Sequence, residues 1–141
     1  MSTDAPLAEI VVDLEAIRGN LRRLRELTGT EVMAVVKADG YGHGMVEVAR
    51  TAREVGVSWL GVATLAEALA LRASGDTGRV LCWLAAPDAD YRPLVEADID
   101  VTAYTPAHVA AIAAAAREVG VVARLQLKFD TGLSRGGAPR D

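Results

Sequence analysis

The chain has 141 residues, 51% of them hydrophobic and 24% charged, which suffices for one buried core and excludes intrinsic disorder. Its 15 Lys and Arg residues are outnumbered by 19 Asp and Glu residues, and the net charge of −4 argues against nucleic acid or an anionic membrane as the main partner. The single cysteine excludes an internal disulfide. No signal peptide is readable, and no apolar run approaches the roughly 20 residues of a membrane span. Together these features predict a cytoplasmic protein.

The hydrophobic pattern switches repeatedly between a period of 3.6 and a period of two, which predicts alternating helices and strands. An extended stretch over 8–12 leads to Asp13, the expected N-cap of a first helix over 14–27. The arginines of that helix are expected on its solvated face, with Glu15 and Glu26 as partners. Strands are predicted over 32–36, 59–62, 80–84, 99–103 and 121–129, and further helices over 45–55, 64–73, 87–97 and 105–119.

This succession of strand and helix predicts an α/β fold with a parallel sheet, because consecutive βα units imply right-handed crossovers. Two architectures stay open at this point, an open doubly wound sheet and an eight-stranded (β/α) barrel. A full barrel needs roughly 250 residues, so the chain would hold little more than half of one, about five of eight strands. The glycine-rich end, 136–141, contains no predicted helix or strand, so the chain is expected to stop partway through the fold.

The densest chemical signal is the run 34–44, where Lys37 follows an apolar strand and glycines stand at 40, 42 and 44. A strand-end lysine beside a loop that can approach an anion suits a carbonyl cofactor that forms a Schiff base and carries a phosphate. A nucleotide loop fits poorly, because Met45 and Glu47 break the G-x-G-x-x-G pattern and the lysine precedes the glycines. Spacing alone leaves a phosphate site and a structural turn as alternatives.

The run 35–44 resembles the cofactor-lysine motif of bacterial alanine racemases. The segment 12–17 with Asn20 and Leu21 is similar to the N-terminal segment of that family, and 61–64 with Glu67 and Ala68 is similar to its second barrel strand and helix. The run 128–135 resembles its fifth-strand signature. The resemblance covers essentially the whole chain, with the motifs in the family's order.

The resemblance implies a pyridoxal-phosphate enzyme on a (β/α)₈ barrel that interconverts L- and D-alanine and supplies D-alanine for peptidoglycan. Lys37 would hold the cofactor as an internal aldimine and, once displaced by alanine, would move the Cα proton on one face. Tyr41 would donate its hydroxyl to the cofactor phosphate, and Arg135 would face the phenolic oxygen and the substrate carboxylate. Lys128 matches a position that carries a carbamate in several members, which would make it an anion holding Arg135.

The same resemblance implies that residues 1–141 form the N-terminal part of the barrel of a cytoplasmic homodimer. The rest of the barrel and a C-terminal β-domain, which provides a tyrosine as the second base, would lie outside this chain, so little or no racemase activity is expected from it alone. Two alternatives are a pyridoxal-phosphate-binding barrel protein without racemase activity and a truncated product without function. His43 is expected to structure its loop, His108 to lie on the surface, and the chain's two histidines and single cysteine predict no metal site.

Overall fold

The computed structural model describes residues 8–84, 86 and 88–139, and within them one sheet carries five strands separated by helices. None of the helices in these residues is long and apolar enough to cross a membrane. In chain order the elements are α1 (Leu14–Thr28), β1 (Met33–Val35), α2 (Lys37–Gly42), α3 (Met45–Glu54), β2 (Trp59–Val62), α4 (Leu65–Ala73), β3 (Arg79–Cys82), α5 (Arg92–Glu96), β4 (Asp100–Ala103), α6 (Pro106–Val119) and β5 (Leu125–Leu127).

The strand order settles which of the two architectures the chain adopts. All neighbouring strands are parallel, and their order across the sheet is β1-β2-β3-β4-β5, the same as along the chain. A doubly wound sheet reverses its strand order at a switch point, whereas a (β/α) barrel adds each strand beside the previous one. The fold is therefore the N-terminal portion of a (β/α) barrel, as predicted, with β1 and β5 at its two edges.

The two faces of the sheet differ in burial. Side chains alternate between faces along each strand, and paired residues share a face. One face, against the helices, forms the core: Leu60, Val62, Val80 and Val101 are at most 1% exposed. On the opposite face, which we call the open face, coverage varies along the sheet: Val35 in β1 is 38% exposed, whereas Asp100 and Thr102 in β4 are buried. The open face corresponds to the interior of the barrel.

Local signals place most helix ends where the sequence predicts them. The Asp13 carboxylate accepts the backbone N–H of Ala16 at 2.9 Å and begins α1, and Gly120, in the left-handed region at φ 73°, ends α6. The predicted ion pairs of α1 also form, between Arg18 and Glu15 and between Arg23 and Glu26. The helix predicted over 87–97 is shorter, since α5 covers Arg92–Glu96, and Pro87 lies outside the described residues.

Candidate functional site

The segment after β1 adopts an unusual backbone conformation. In α2, Ala38, Asp39, Gly40 and Tyr41 all have left-handed angles, with φ between 50° and 61°. Such angles are costly for residues other than glycine, and a run of four is rare. The sequence predicts only a glycine-rich turn here, because its glycines alternate with residues that ordinarily avoid this region. The left-handed turn is thus the main local departure from expectation.

Contacts with the following helix hold this turn in place. The Asp39 carboxylate accepts the backbone N–H of Met45 at 2.8 Å and so serves the first turn of α3, whose N-cap Gly44 has no side chain to do so. The Gly44 N–H donates in turn to the Asp39 carbonyl at 2.9 Å. Gly40, at the centre of the turn, is buried, and a Cβ there would lie 3.4 Å from the Met45 nitrogen. The turn and α3 therefore form one packed unit.

The turn brings Lys37 and Tyr41 together. The Lys37 Nζ lies 4.7 Å from the centroid of the Tyr41 ring, within the range of a cation–π contact. Lys37 is half-buried and Tyr41 is 57% exposed, so neither side chain is enclosed by the protein. The His43 ring contacts the carbonyls of Gly40 and Tyr41 through Nδ1, at 3.0 and 3.1 Å, which confirms the predicted role of His43 in structuring the loop.

Glu67 links this turn to the neighbouring strand. Its Oε1 accepts the backbone N–H of Ala38 at 2.7 Å, and its Oε2 accepts those of Ala63 and Thr64 at 3.0 and 2.9 Å. Partial burial pushes the pKa of the Glu67 carboxyl upward, but the hydrogen bonds from Thr64, Ala38 and Ala63 outweigh that effect and leave it below its ordinary value. The sequence motif includes Glu67, yet its spacing alone predicts only a helix cap.

The end of β5 carries the other two predicted site residues. Lys128 is exposed, its Nζ lies 5.6 Å from the centroid of the Tyr104 ring, and it donates to the Gly136 carbonyl. The segment after it folds back on itself through a bridge between Phe129 and Ala138. Arg135 is exposed on this fold-back loop, at the same edge of the sheet as Lys128.

Asp130 organises the fold-back loop. Its Oδ1 accepts the backbone N–H of Gly132 at 2.9 Å and of Ser134 at 3.0 Å, and these bonds hold the pKa of the carboxyl below its ordinary value. The loop that bears Arg135 therefore has its own internal support. Lys37, Tyr41, Lys128 and Arg135 all follow strand ends at the carboxyl edge of the sheet, where α/β barrels place their active sites.

The prediction for His108 is wrong. Its side chain is buried at 8% exposure, because the first turn of α6 packs against the end of β4. Its Nδ1 accepts the backbone N–H of Tyr104 at 3.3 Å, and the two rings meet edge to face with centroids 5.5 Å apart. Among the described residues no group of three or more His, Cys, Asp or Glu side chains could hold a metal ion.

The donor set suits a phosphorylated carbonyl compound. An accessible amine, a phenolic hydroxyl and a turn rich in glycine stand together after β1, and two further cations stand at the same sheet edge after β5. The amine can bond to a carbonyl carbon, and the hydroxyl and cations can bind anionic oxygens. The residues present therefore fit the kind of cofactor that the lysine motif predicts.

Comparison with known proteins identifies close relatives. Residues 12–141 match the family model described as alanine racemase, N-terminal domain. The chain is 55% identical to the alanine racemase of Beutenbergia cavernae over 131 residues, which cover 92% of this chain and 35% of that protein. It is 52% identical to the alanine racemase of Mycolicibacterium smegmatis over 140 residues, which cover 97% of this chain and 36% of that one.

A solved structure agrees with these sequence relatives. The alanine racemase of the D-cycloserine-producing Streptomyces lavendulae superposes with a TM-score of 0.88 at 49% identity, over 90% of this chain and 34% of that one. The chain thus spans about a third of the length of the relatives it matches, with the same fold over that part.

Proposed function

Because this chain belongs to the family defined by the N-terminal domain of alanine racemases, we propose that it forms the cofactor-binding part of a pyridoxal-phosphate-dependent alanine racemase. The observation that carries the proposal is the left-handed turn after β1, which holds the Lys37 amine beside the Tyr41 ring at a barrel's carboxyl edge. The reaction would interconvert L- and D-alanine in the cytoplasm and supply D-alanine for peptidoglycan.

Each site residue has a proposed task. Lys37 would bond to the cofactor's carbonyl carbon and, when free, would move the Cα proton on one face of alanine. When bound, pyridoxal phosphate would supply an electron sink that makes this proton easier to remove. Tyr41 would donate its hydroxyl to the phosphate, and Arg135 would face the cofactor's phenolic oxygen and bind the substrate carboxylate.

Lys128 would support Arg135 once it carries a carbamate. Unmodified, it donates through Nζ to the Gly136 carbonyl, so it already lies against the loop that presents Arg135. Carbamylation converts its positive charge into a negative one, which would attract the guanidinium. This proposal gives Lys128 a positioning task, while Lys37 carries out the chemistry.

Residues 1–141 would form the N-terminal part of a larger catalytic unit. Further strands would pair with the edges at β1 and β5 to close the barrel, and a C-terminal β-domain of a partner subunit would provide the second base. Racemisation needs a proton transfer on each face of the Cα carbon. We therefore expect the 141-residue chain to bind cofactor but to show little turnover by itself.

The chain offers a clean labelling test, since Lys37 and Lys128 are its only lysines. The chain is mixed with pyridoxal phosphate, reduced with borohydride and digested, and the modified lysine is located by mass spectrometry. We expect label at Lys37 and little at the exposed Lys128, with none gained at Lys128 in the Lys37→Arg variant. Equal labelling of both lysines, or none at all, would refute the proposal that this chain holds the cofactor.

The Tyr41→Phe variant tests the phosphate contact. Loss of a hydrogen bond to a charged group should weaken binding of pyridoxal phosphate about tenfold or more. Pyridoxal, which lacks the phosphate, is the matched control ligand and should bind both proteins equally. A Tyr41→Phe variant that binds both ligands as the wild type does would remove Tyr41 from the site.

A further inference from the structure

We propose that Glu67 is a positioning residue for Lys37. Glu67 acts by fixing the backbone of the left-handed turn, and the inference rests on the function proposed above. Three backbone N–H groups converge on its one carboxylate, one from the lysine turn and two from the loop after β2. Ala63 and Thr64 belong to its own helix start, but Ala38 lies 29 residues away on the neighbouring strand's loop. One side chain thus joins two adjacent loops of the catalytic edge.

The bond to Ala38 acts directly on the lysine. The peptide group between Lys37 and Ala38 is planar, so a hydrogen bond at the Ala38 nitrogen orients the whole plane and with it the ψ angle of Lys37. This ψ angle, where the left-handed turn begins, sets the direction in which the turn continues relative to the Lys37 side chain, and so where the Tyr41 ring lies beside the Lys37 amine. A displacement of about 1 Å at a reacting group is enough to slow a reaction by about a hundredfold.

The rest of the turn cannot replace this contact. The first N–H groups of a helical turn have no acceptor within the turn. In α2 the carbonyl oxygen of Val36, just before the turn, accepts the Gly40 N–H at 2.9 Å and not the Ala38 N–H. The Ala38 N–H therefore depends on an acceptor from outside. A carboxylate is well suited, because it has enough lone pairs to accept bonds from both loops at once.

A helix cap and a positioning contact make different demands on Glu67. Thr64 and Glu67 form a capping box, in which the Thr64 Oγ1 accepts the Glu67 N–H at 3.3 Å and the Glu67 carboxylate accepts the Thr64 N–H. Glutamine serves in this motif as well as glutamate. It has only one acceptor oxygen, however, which would turn to the two donors at Ala63 and Thr64 and leave its NH₂ group opposite Ala38. Glu67→Gln therefore separates the two roles.

The matched control is Thr64→Ala. It removes the Oγ1 cap of α4 but keeps the Glu67 carboxylate and all three of its backbone donors. A lost cap should lower the unfolding midpoint by roughly 4 °C. If Glu67 acts on Lys37, this destabilised variant should nevertheless keep the lysine turn and its labelling intact.

Two measurements on the 141-residue chain test the proposal. The first is amide hydrogen exchange at Ala38 without cofactor, which should be about tenfold faster or more in Glu67→Gln and unchanged in Thr64→Ala. The second is the ratio of label at Lys37 to label at Lys128 after reaction with pyridoxal phosphate and borohydride. We expect this ratio to fall severalfold in Glu67→Gln and to stay within twofold of the wild type in Thr64→Ala.

The proposal is overturned if the wild-type Ala38 amide is unprotected, if Glu67→Gln leaves both readouts within twofold of the wild type, or if Thr64→Ala moves them equally. Failure of the proposed function has a different signature. Wild-type protein without label at Lys37 would refute cofactor binding, whereas the exchange comparison, made without cofactor, would still decide whether Glu67 holds the lysine turn.

Discussion

Replacing Asp100 by asparagine should destabilise the protein without touching the candidate site. Asp100 begins β4 at the amino edge of the sheet, opposite the lysine turn, and is fully buried at 0% exposure. Its carboxylate accepts hydrogen bonds from Nε and Nη2 of Arg79, at 3.0 and 2.5 Å, and from Nε of Arg124, at 2.9 Å. One buried carboxylate thus joins β4 to the start of β3 and the approach to β5.

The magnitude follows from these three bonds. A hydrogen bond to a charged group contributes about 1.5–3 kcal/mol, and breaking a buried ion pair costs about 3–5 kcal/mol. The side chains of Arg79 and Arg124 are 43% and 32% exposed, so water replaces part of what they lose. We therefore expect Asp100→Asn to lower the free energy of unfolding by about 2–4 kcal/mol, and the unfolding midpoint by roughly 10 °C.

The pH dependence gives the decisive signature. Burial pushes the pKa of Asp100 upward, but the bonds from Arg79 and Arg124 outweigh it, so its folded-state pKa lies below the unfolded value of about 3.9. Its contribution is complete above that value and is lost as the pH falls through the folded-state pKa, because the unfolded chain binds the proton first. The difference in free energy of unfolding between the wild type and Asp100→Asn should therefore become smaller below about pH 4.

Urea unfolding followed by circular dichroism at pH 7 and at pH 3 measures this gap, and a wild-type comparison at each pH cancels the titration of other carboxylates. A gap below about 0.5 kcal/mol at pH 7, or one that is equal at both pH values, would refute the reasoning, since surface substitutions alone reach that size.

Three further outcomes are expected. Gly61→Ala should lower the free energy of unfolding by about 1–2 kcal/mol in urea, because its Cβ would lie 2.7 Å from the Trp83 ring. In the same assay Gly19→Ala, inside α1 with nothing within 4 Å of its Cβ, should raise it by up to about 1 kcal/mol. Cys82 is 2% exposed and burial raises its pKa to about 11, so mass spectrometry should find it unmodified by iodoacetamide at pH 7.5 until urea unfolds the chain.

The parts of the fold that the sequence predicts well are those set by local contacts. Asp13 and Thr64 cap helices through donors three residues away, and Gly120 ends α6 by adopting a left-handed angle. The residues that form such a signal lie within a few positions of one another, so their spacing in the sequence is enough to predict it. The parallel sheet can be predicted too, because a helix between two strands carries the chain back across the sheet, so that the second strand runs parallel to the first. The choice of a barrel over a doubly wound sheet depends on strand order, which no local signal encodes.

The errors arise where distant segments meet. His108 has the sequence context of a surface residue after a helix-starting proline, yet its burial depends on how α6 packs against the end of β4. The link from Glu67 to Ala38 is likewise invisible in either segment, because it forms only when β1 and β2 pair in register, with Ala34 beside Leu60. A motif can mark both residues, but only the pairing of their strands brings them into contact.

The left-handed turn shows why the placement of the lysine is a property of the whole edge. Its three non-glycine residues cost about 1–2 kcal/mol each, or about 3–6 kcal/mol together. Two charge-assisted hydrogen bonds, from Ala38 to Glu67 and from Met45 to Asp39, contribute about 1.5–3 kcal/mol each, which is about the same sum. The turn is therefore near balance, so that either contact decides whether the backbone around Lys37 keeps its conformation. The residues of the turn do not prefer this shape by themselves; α3 and α4 impose it, and the placement of the Tyr41 ring beside the Lys37 amine depends on both.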